Sequence, residues 1–99
     1  MKTEPLLHLK IYFMEFYVYI LESELDSSLY IGHTNNIERR LEEHNEGISR
    51  YTKSKRPWKL IYKEAFYTRG EAMRFEKKLK SWRNREYIFE YIKNKGAVD

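Results

Sequence analysis

Four polar side chains occupy positions where a purely structural design would place apolar ones. Tyr19 lies within a β-branched and aromatic run, and Arg40 and His44 share one helical face with Ile37 and Leu41. Glu76 sits on the shoulder of a second apolar stripe, four residues after Ala72 and three before Leu79. Phosphodiester hydrolysis asks for this set of groups. A carboxylate such as Glu76 can hold a hard cation against a phosphate oxygen. A guanidinium such as Arg40 can neutralise charge growing on the equatorial oxygens, and Tyr19 or His44 can take a proton from water. Each residue also has an ordinary structural role: a strand aromatic, an Arg40–Glu76 salt bridge, a space-filling imidazole. Their joint placement favours the chemical reading. His33 is expected at the rim of such a site, and His8 has no role.

The elements that must position these groups can be read from the pattern. Phe16–Glu22 and Leu29–His33 form two strands around a polar turn, and Trp58–Phe66 forms a third. Asn35 with Glu38 reads as a capping box opening a helix that Gly47 closes, and Thr68 with Glu71 opens a second. That second helix buries Ala72, Phe75, Leu79 and Trp82. A third begins near Asn84, ends by Gly96 and buries Ile88, Tyr91 and Ile92. The expected fold class is α+β, a three-stranded antiparallel sheet flanked by helices in the order β-β-α-β-α-α. Residues 14–96 make the domain and residues 1–13 an N-terminal extension.

Charge narrows the partner. Between Gly47 and Arg85 thirteen Lys/Arg face three acids, net +10, while the remainder carries six against twelve, net −6. A cation cluster of this density favours a polyanion through counterion release. Arg50, Lys53, Lys55, Arg56, Lys77 and Lys80 are the expected nucleic-acid contacts. Tyr51, Trp58, Tyr62 and Trp82, interleaved with the cations, are positioned to stack on bases. Cysteine is absent, which excludes a disulfide framework and a thiolate zinc site and suits a cytoplasmic location. No apolar run reaches the roughly 20 residues of a membrane span, so no membrane association is expected. An adaptor role would need an exposed apolar patch, and only Leu6–Phe13 offers one.

Tyr17-Val18-Tyr19 and, ten residues on, Tyr30-Ile31-Gly32 resemble the paired tripeptides of the GIY-YIG nucleases. The resemblance extends to Arg40, eight residues after Gly32, to His44 one turn later, and to Glu76 on the following long helix. It runs from about Phe16 to Trp82 and is closest to small single-domain members related to the N-terminal nuclease domain of the bacterial nucleotide-excision-repair endonuclease. Two positions depart from the pattern: Tyr17 stands where the first tripeptide has glycine, and Ile88 where many members have asparagine.

The resemblance implies an endonuclease dependent on Mg²⁺ or Mn²⁺ and acting on DNA, in repair or recombination. It implies Glu76 as the metal residue and Tyr19, Tyr30, Arg40 and His44 as the catalytic ones. Val18, Ile31 and Gly32 complete the structural motif. The expected protein is a monomer whose target choice comes from DNA shape or from a partner protein. The competing reading is a catalytically degenerate module that grips nucleic acid without cutting it.

Overall fold

The computed structural model describes residues 14–95, so the expected extension at residues 1–13 lies outside the described residues. Three strands, β1 (Phe16–Ser23), β2 (Leu29–Thr34) and β3 (Trp58–Phe66), form one sheet in the order β2-β1-β3. Both pairings are antiparallel. Three helices follow the chain order: α1 (Ile37–Glu46) between β2 and β3, then α2 (Arg69–Trp82) and α3 (Arg85–Asn94). The sheet and helix pattern is the α+β one expected from the sequence.

Strand alternation assigns the two faces of β1. Val18 and Ile20 enter a core with Ile31, Tyr62, Ala72, Leu79, Ile88 and Ile92, and so face α2 and α3. Tyr19 and Leu21 point the other way, into a smaller cluster with Trp58, Tyr30, Ile37 and Leu41, and so face α1. A bulge lies between Ile20 and Leu21, where β3 places one extra residue, Ile61, opposite β1. It puts Ile61 beside Tyr62 on the α2/α3 face and returns Leu60 to the α1 face.

Caps fix the helix starts. Thr68 accepts from the Glu71 N–H while the Glu71 carboxylate accepts from the Thr68 N–H, completing the expected capping box. Asn84 caps α3 through the Tyr87 N–H. The start of α1 differs from expectation by one residue. Asn36 is the cap, accepting from the Arg39 N–H, while Asn35 accepts from the Arg39 side chain instead. Thr34 decides the frame: its hydroxyl accepts from the Asn36 N–H and fixes the entry into the helix. Gly47 ends α1 at φ +83°, a left-handed conformation in which its N–H reaches the Glu43 and His44 carbonyls.

The basic loop after α1 is held at several points. Asn45 exchanges two hydrogen bonds with the Trp58 backbone, at 3.0 and 2.6 Å. The Trp58 indole donates to the Thr52 carbonyl at 2.9 Å, and Ser23 donates to the Lys55 carbonyl at 2.7 Å. This stapling buries Thr52 completely within an otherwise exposed segment.

Candidate active site

The candidate residues fall into two groups on opposite faces of the sheet, linked by the effect of the Glu76 charge on the Tyr19 phenol. The first lies on the α1 face. His44 is fully buried, its Nε2 2.9 Å from the Tyr19 hydroxyl and its Nδ1 2.7 Å from the Thr52 hydroxyl. Burial depresses the imidazole to about 4, the Arg40 charge adds to the fall, and Glu43 opposes it. His44 is therefore neutral at neutral pH, with one ring nitrogen a donor and the other an acceptor. The tautomer with a proton on Nδ1 donates to Thr52, whose own hydroxyl faces the Ser49 carbonyl at 3.5 Å. It leaves Nε2 free to accept from Tyr19.

Tyr19 is 2% exposed, and burial pushes its phenol above the ordinary range. Tyr30 and the Glu76 charge reinforce the rise, whereas Arg40 opposes it. Tyr19 is thus a neutral phenol in the opposing fields of Arg40 and Glu76. Tyr30 packs its ring 4.9 Å from His44 and edge-on to Trp58 at 6.3 Å, walling the pair. Arg40, partly exposed, donates to Glu43 at 2.9 Å. The structural alternative of an Arg40–Glu76 pair is absent, since each has other partners among the described residues.

Gly32 makes room at the edge. It lies opposite Tyr19 in the register, and a Cβ there would stand 2.7 Å from the Tyr19 hydroxyl oxygen and 2.8 Å from Cζ. The phenol lies where a side chain at residue 32 would be. Val18 and Ile31, which flank the motif tyrosines Tyr19 and Tyr30 in sequence, are buried in the opposite core and anchor both strands.

The second group lies on the α2 face. His33, opposite Val18 in the register, brings Nδ1 to 2.5 Å from Glu76 Oε1, and Lys80 brings Nζ to 2.6 Å from Oε2. The Glu76 side chain is 16% exposed. Among the described residues no three His, Cys, Asp or Glu side chains converge as a metal cage. A single carboxylate already drawing an ammonium to one oxygen suits a hard cation that keeps most of its waters. The closed ligand set of a structural zinc site does not fit.

A family profile described as the GIY-YIG catalytic domain matches residues 15–93. The chain belongs to the GIY-YIG family. It is 46% identical over 85 residues to a UPF0213 protein of Bacillus licheniformis, covering 82% of this chain and 86% of that one. A UPF0213 protein of Streptococcus agalactiae is 44% identical over 78 residues, covering 78% and 86%. The solution NMR structure of a UPF0213 protein from Bacillus halodurans is similar at a TM-score of 0.53 and 36% identity, covering 82% of this chain and 85% of that one. The GIY-YIG catalytic domain is a nuclease domain of the endonuclease type. No described helix is long and apolar enough to cross a membrane.

Within this GIY-YIG domain the two departures have visible consequences. Tyr17 is half-buried on the α1 face and lines a hollow of about 350 Å³ with Asn36, Leu41 and Lys63. Ile88 is 4% exposed in the main core, so α3 brings no polar group there. The stacking expectation is corrected: Trp58 and Tyr62 are 4% and 5% exposed, and Trp82 is half-buried among aromatics. Trp58 and Tyr62 complete the two cores and have no free face. Tyr51, 83% exposed beside Arg50 and Lys53, is the one of the four that remains open to a base.

The cations also divide. Lys55 pairs with Asp26 at 2.7 Å, and Arg56 donates to the Lys53 carbonyl at 2.8 Å, so both hold the loop. Arg50, Lys53 and Lys77 are exposed and in no ion pair among the described residues. Sequence reasoning did not single out Thr52, Glu43 or Asn45. Glu43, three residues after Arg40, was detectable from helical spacing. Thr52 carried no such signal, because its burial depends on how the loop is stapled.

Proposed function

We propose that this chain is a divalent-cation-dependent endonuclease that hydrolyses phosphodiester bonds in DNA, with Mg²⁺ or Mn²⁺ held by Glu76. The observation carrying the proposal is the buried chain Tyr19–His44–Thr52, a run of polar groups inside an apolar cluster where packing alone asks for none. In the proposed step Tyr19 takes a proton from water while passing its own to His44 Nε2. His44 is unprotonated at neutral pH, so its Nε2 lone pair is open to the Tyr19 proton. Thr52 fixes the tautomer, and Tyr30 limits the movement of both rings. Arg40 is anchored by Glu43 through one nitrogen and offers its remaining donors to the phosphate oxygens. Glu76 would hold the cation, which would supply Lewis acidity to the phosphate. Arg50, Lys53 and Lys77 grip the backbone, with Lys55 and Arg56 shaping the loop that presents Arg50 and Lys53 and helix α2 presenting Lys77. Target choice then comes from DNA shape or from a partner protein, in repair or recombination.

The deciding assay follows cleavage of duplex and branched DNA with Mg²⁺ or Mn²⁺ against EDTA, for the parent protein and Glu76→Ala. Cleavage that requires the cation and disappears in Glu76→Ala is the expected result. Equal cleavage in EDTA, or by Glu76→Ala, refutes the proposal. Lys80 on Glu76 Oε2 and the burial of Ile88 favour the second reading, a nucleic-acid-binding module without cleavage. Salt-sensitive binding with no cutting under any cation would establish that reading.

A further inference from the structure

Both oxygens of Glu76 are engaged, and the two partners differ in kind. His33 projects from β2, a strand fixed by its pairing with β1, and its side chain is 25% exposed. Lys80 lies one turn along the same helix, at the end of a flexible four-carbon stem that is 52% exposed. A long exposed side chain in a surface pair contributes little and moves easily, whereas an imidazole on a paired strand has few alternatives. We infer that His33 is the positioning residue that holds the Glu76 carboxylate through Oε1, while Lys80 is a displaceable place-holder at Oε2, the oxygen the cation takes.

This inference rests on the reading of Glu76 as the cation's carboxylate and adds how that carboxylate is aimed. Glu76 is on the α2 face, but it must act at the β2 edge beside Tyr19. A glutamate has three side-chain torsions, and a hydrogen bond from a neighbouring strand selects the rotamer that reaches that edge. Carboxylates that bind metals are generally oriented by such partners, and loss of one costs about 10–100-fold in metal affinity. Lys80 acts in the opposite sense. Its ammonium neutralises Glu76 and competes with an incoming cation, which must displace it.

The two roles predict shifts of opposite sign, which a purely structural contribution would not give. Mn²⁺ binding to the full chain, without nucleic acid, is followed by electron paramagnetic resonance of the free ion. His33→Ala should weaken binding about 10–100-fold. His33→Asn places an amide N–H near the position of Nδ1 and should stay within about threefold of the parent, because a donor is what the role needs. Lys80→Met should tighten binding, by up to about fivefold for a surface pair.

Unchanged binding in a folded His33→Ala protein overturns the positioning role. A His33→Asn protein that folds but binds as weakly as His33→Ala also overturns it, since the imidazole would then be a ligand. Binding by Lys80→Met no tighter than the parent overturns the place-holder. Glu76→Gln separates the two levels. If it leaves Mn²⁺ binding intact, the underlying reading of Glu76 fails. If it abolishes binding while His33→Ala does not, only this inference fails.

Discussion

Gly32→Ala adds one methyl group to the protein and tests the proposed site directly. Gly32 is not required for a left-handed backbone; it is required for the space above it. The new Cβ would lie 2.7 Å from the Tyr19 hydroxyl oxygen and 2.8 Å from Cζ, where ordinary contact begins at 3.4 Å. The phenol must therefore give by about 0.7 Å. Rotating the ring cannot supply this, because Cζ and the hydroxyl oxygen both lie on the ring's rotation axis. The whole side chain must swing, or β2 must separate from β1. Tyr19 is 2% exposed and packed, so the overpacking should cost about 1–3 kcal/mol in urea unfolding. It should also strain the 2.9 Å bond to His44 and displace the base, and misplacement of about 1 Å costs roughly 100-fold in rate.

The assay is single-turnover cleavage of duplex DNA at saturating Mn²⁺ for the parent, Gly32→Ala, Tyr19→Phe and the double variant. Tyr19→Phe alone should lose about 10²–10⁴-fold by removing the proton acceptor. In that background Gly32→Ala should cost less than about threefold, because no base remains to be displaced, a coupling typical of groups in direct contact. Part of the stability cost should persist in the double variant, since Cζ stays close. Cleavage by Gly32→Ala within threefold of the parent would refute the reasoning. So would an equal fold-loss in the Tyr19→Phe background, which would assign the effect to the strand.

Acid should destabilise the fold through His44. Its folded value near 4 lies below the ordinary 6.5, so this contribution is complete above about 6.5 and is lost as pH falls towards 4. At 1.36 kcal/mol per tenfold change the loss is roughly 3 kcal/mol, and His44→Phe should flatten that part of the urea-midpoint profile against pH. Arg40→Ala should lower the cleavage rate about 100-fold with little change in Mn²⁺ affinity, read from single-turnover rates and metal titration. Replacing Arg50, Lys53 and Lys77 together with Ala should make the log–log salt slope of duplex binding shallower by about 2–3, as measured by fluorescence anisotropy.

The elements were legible because their signals are local. The Thr68–Glu71 capping box, the Asn84 cap and the β-branched run of β1 each depend on a few neighbouring residues, and all three formed. The α1 cap moved from Asn35 to Asn36 because two adjacent asparagines are equivalent by local pattern, and Thr34 selects between them. Trp58 and Tyr62 were misread as stacking surfaces because sequence shows that aromatics alternate with lysines but not which face of β3 is covered. Trp58 faces α1 and, past the bulge at Ile61, Tyr62 faces α2 and α3, so both aromatics are core because helices cover both faces of β3, while Lys59 and Lys63 stay exposed.

The site itself was legible only in part, for a physical reason. Helical spacing correctly grouped Arg40 and His44 with Ile37 and Leu41, because residues three and four apart share a face. Spacing cannot show that Glu76 and Tyr19 belong to opposite faces of one sheet. In the proposed site, groups so separated can meet one phosphate only at a sheet edge, and β2 is the edge that bears the second tripeptide. A side chain at residue 32 would close that edge, and glycine leaves it open for the Tyr19 phenol to lie across it. In the proposed site the tripeptide's tyrosine and glycine therefore do different work: Tyr30 walls the Tyr19–His44–Thr52 chain, while Gly32 leaves the space that the Tyr19 phenol occupies. Neither role follows from the motif as a string of letters. Both follow from a three-stranded sheet that places β2 outermost.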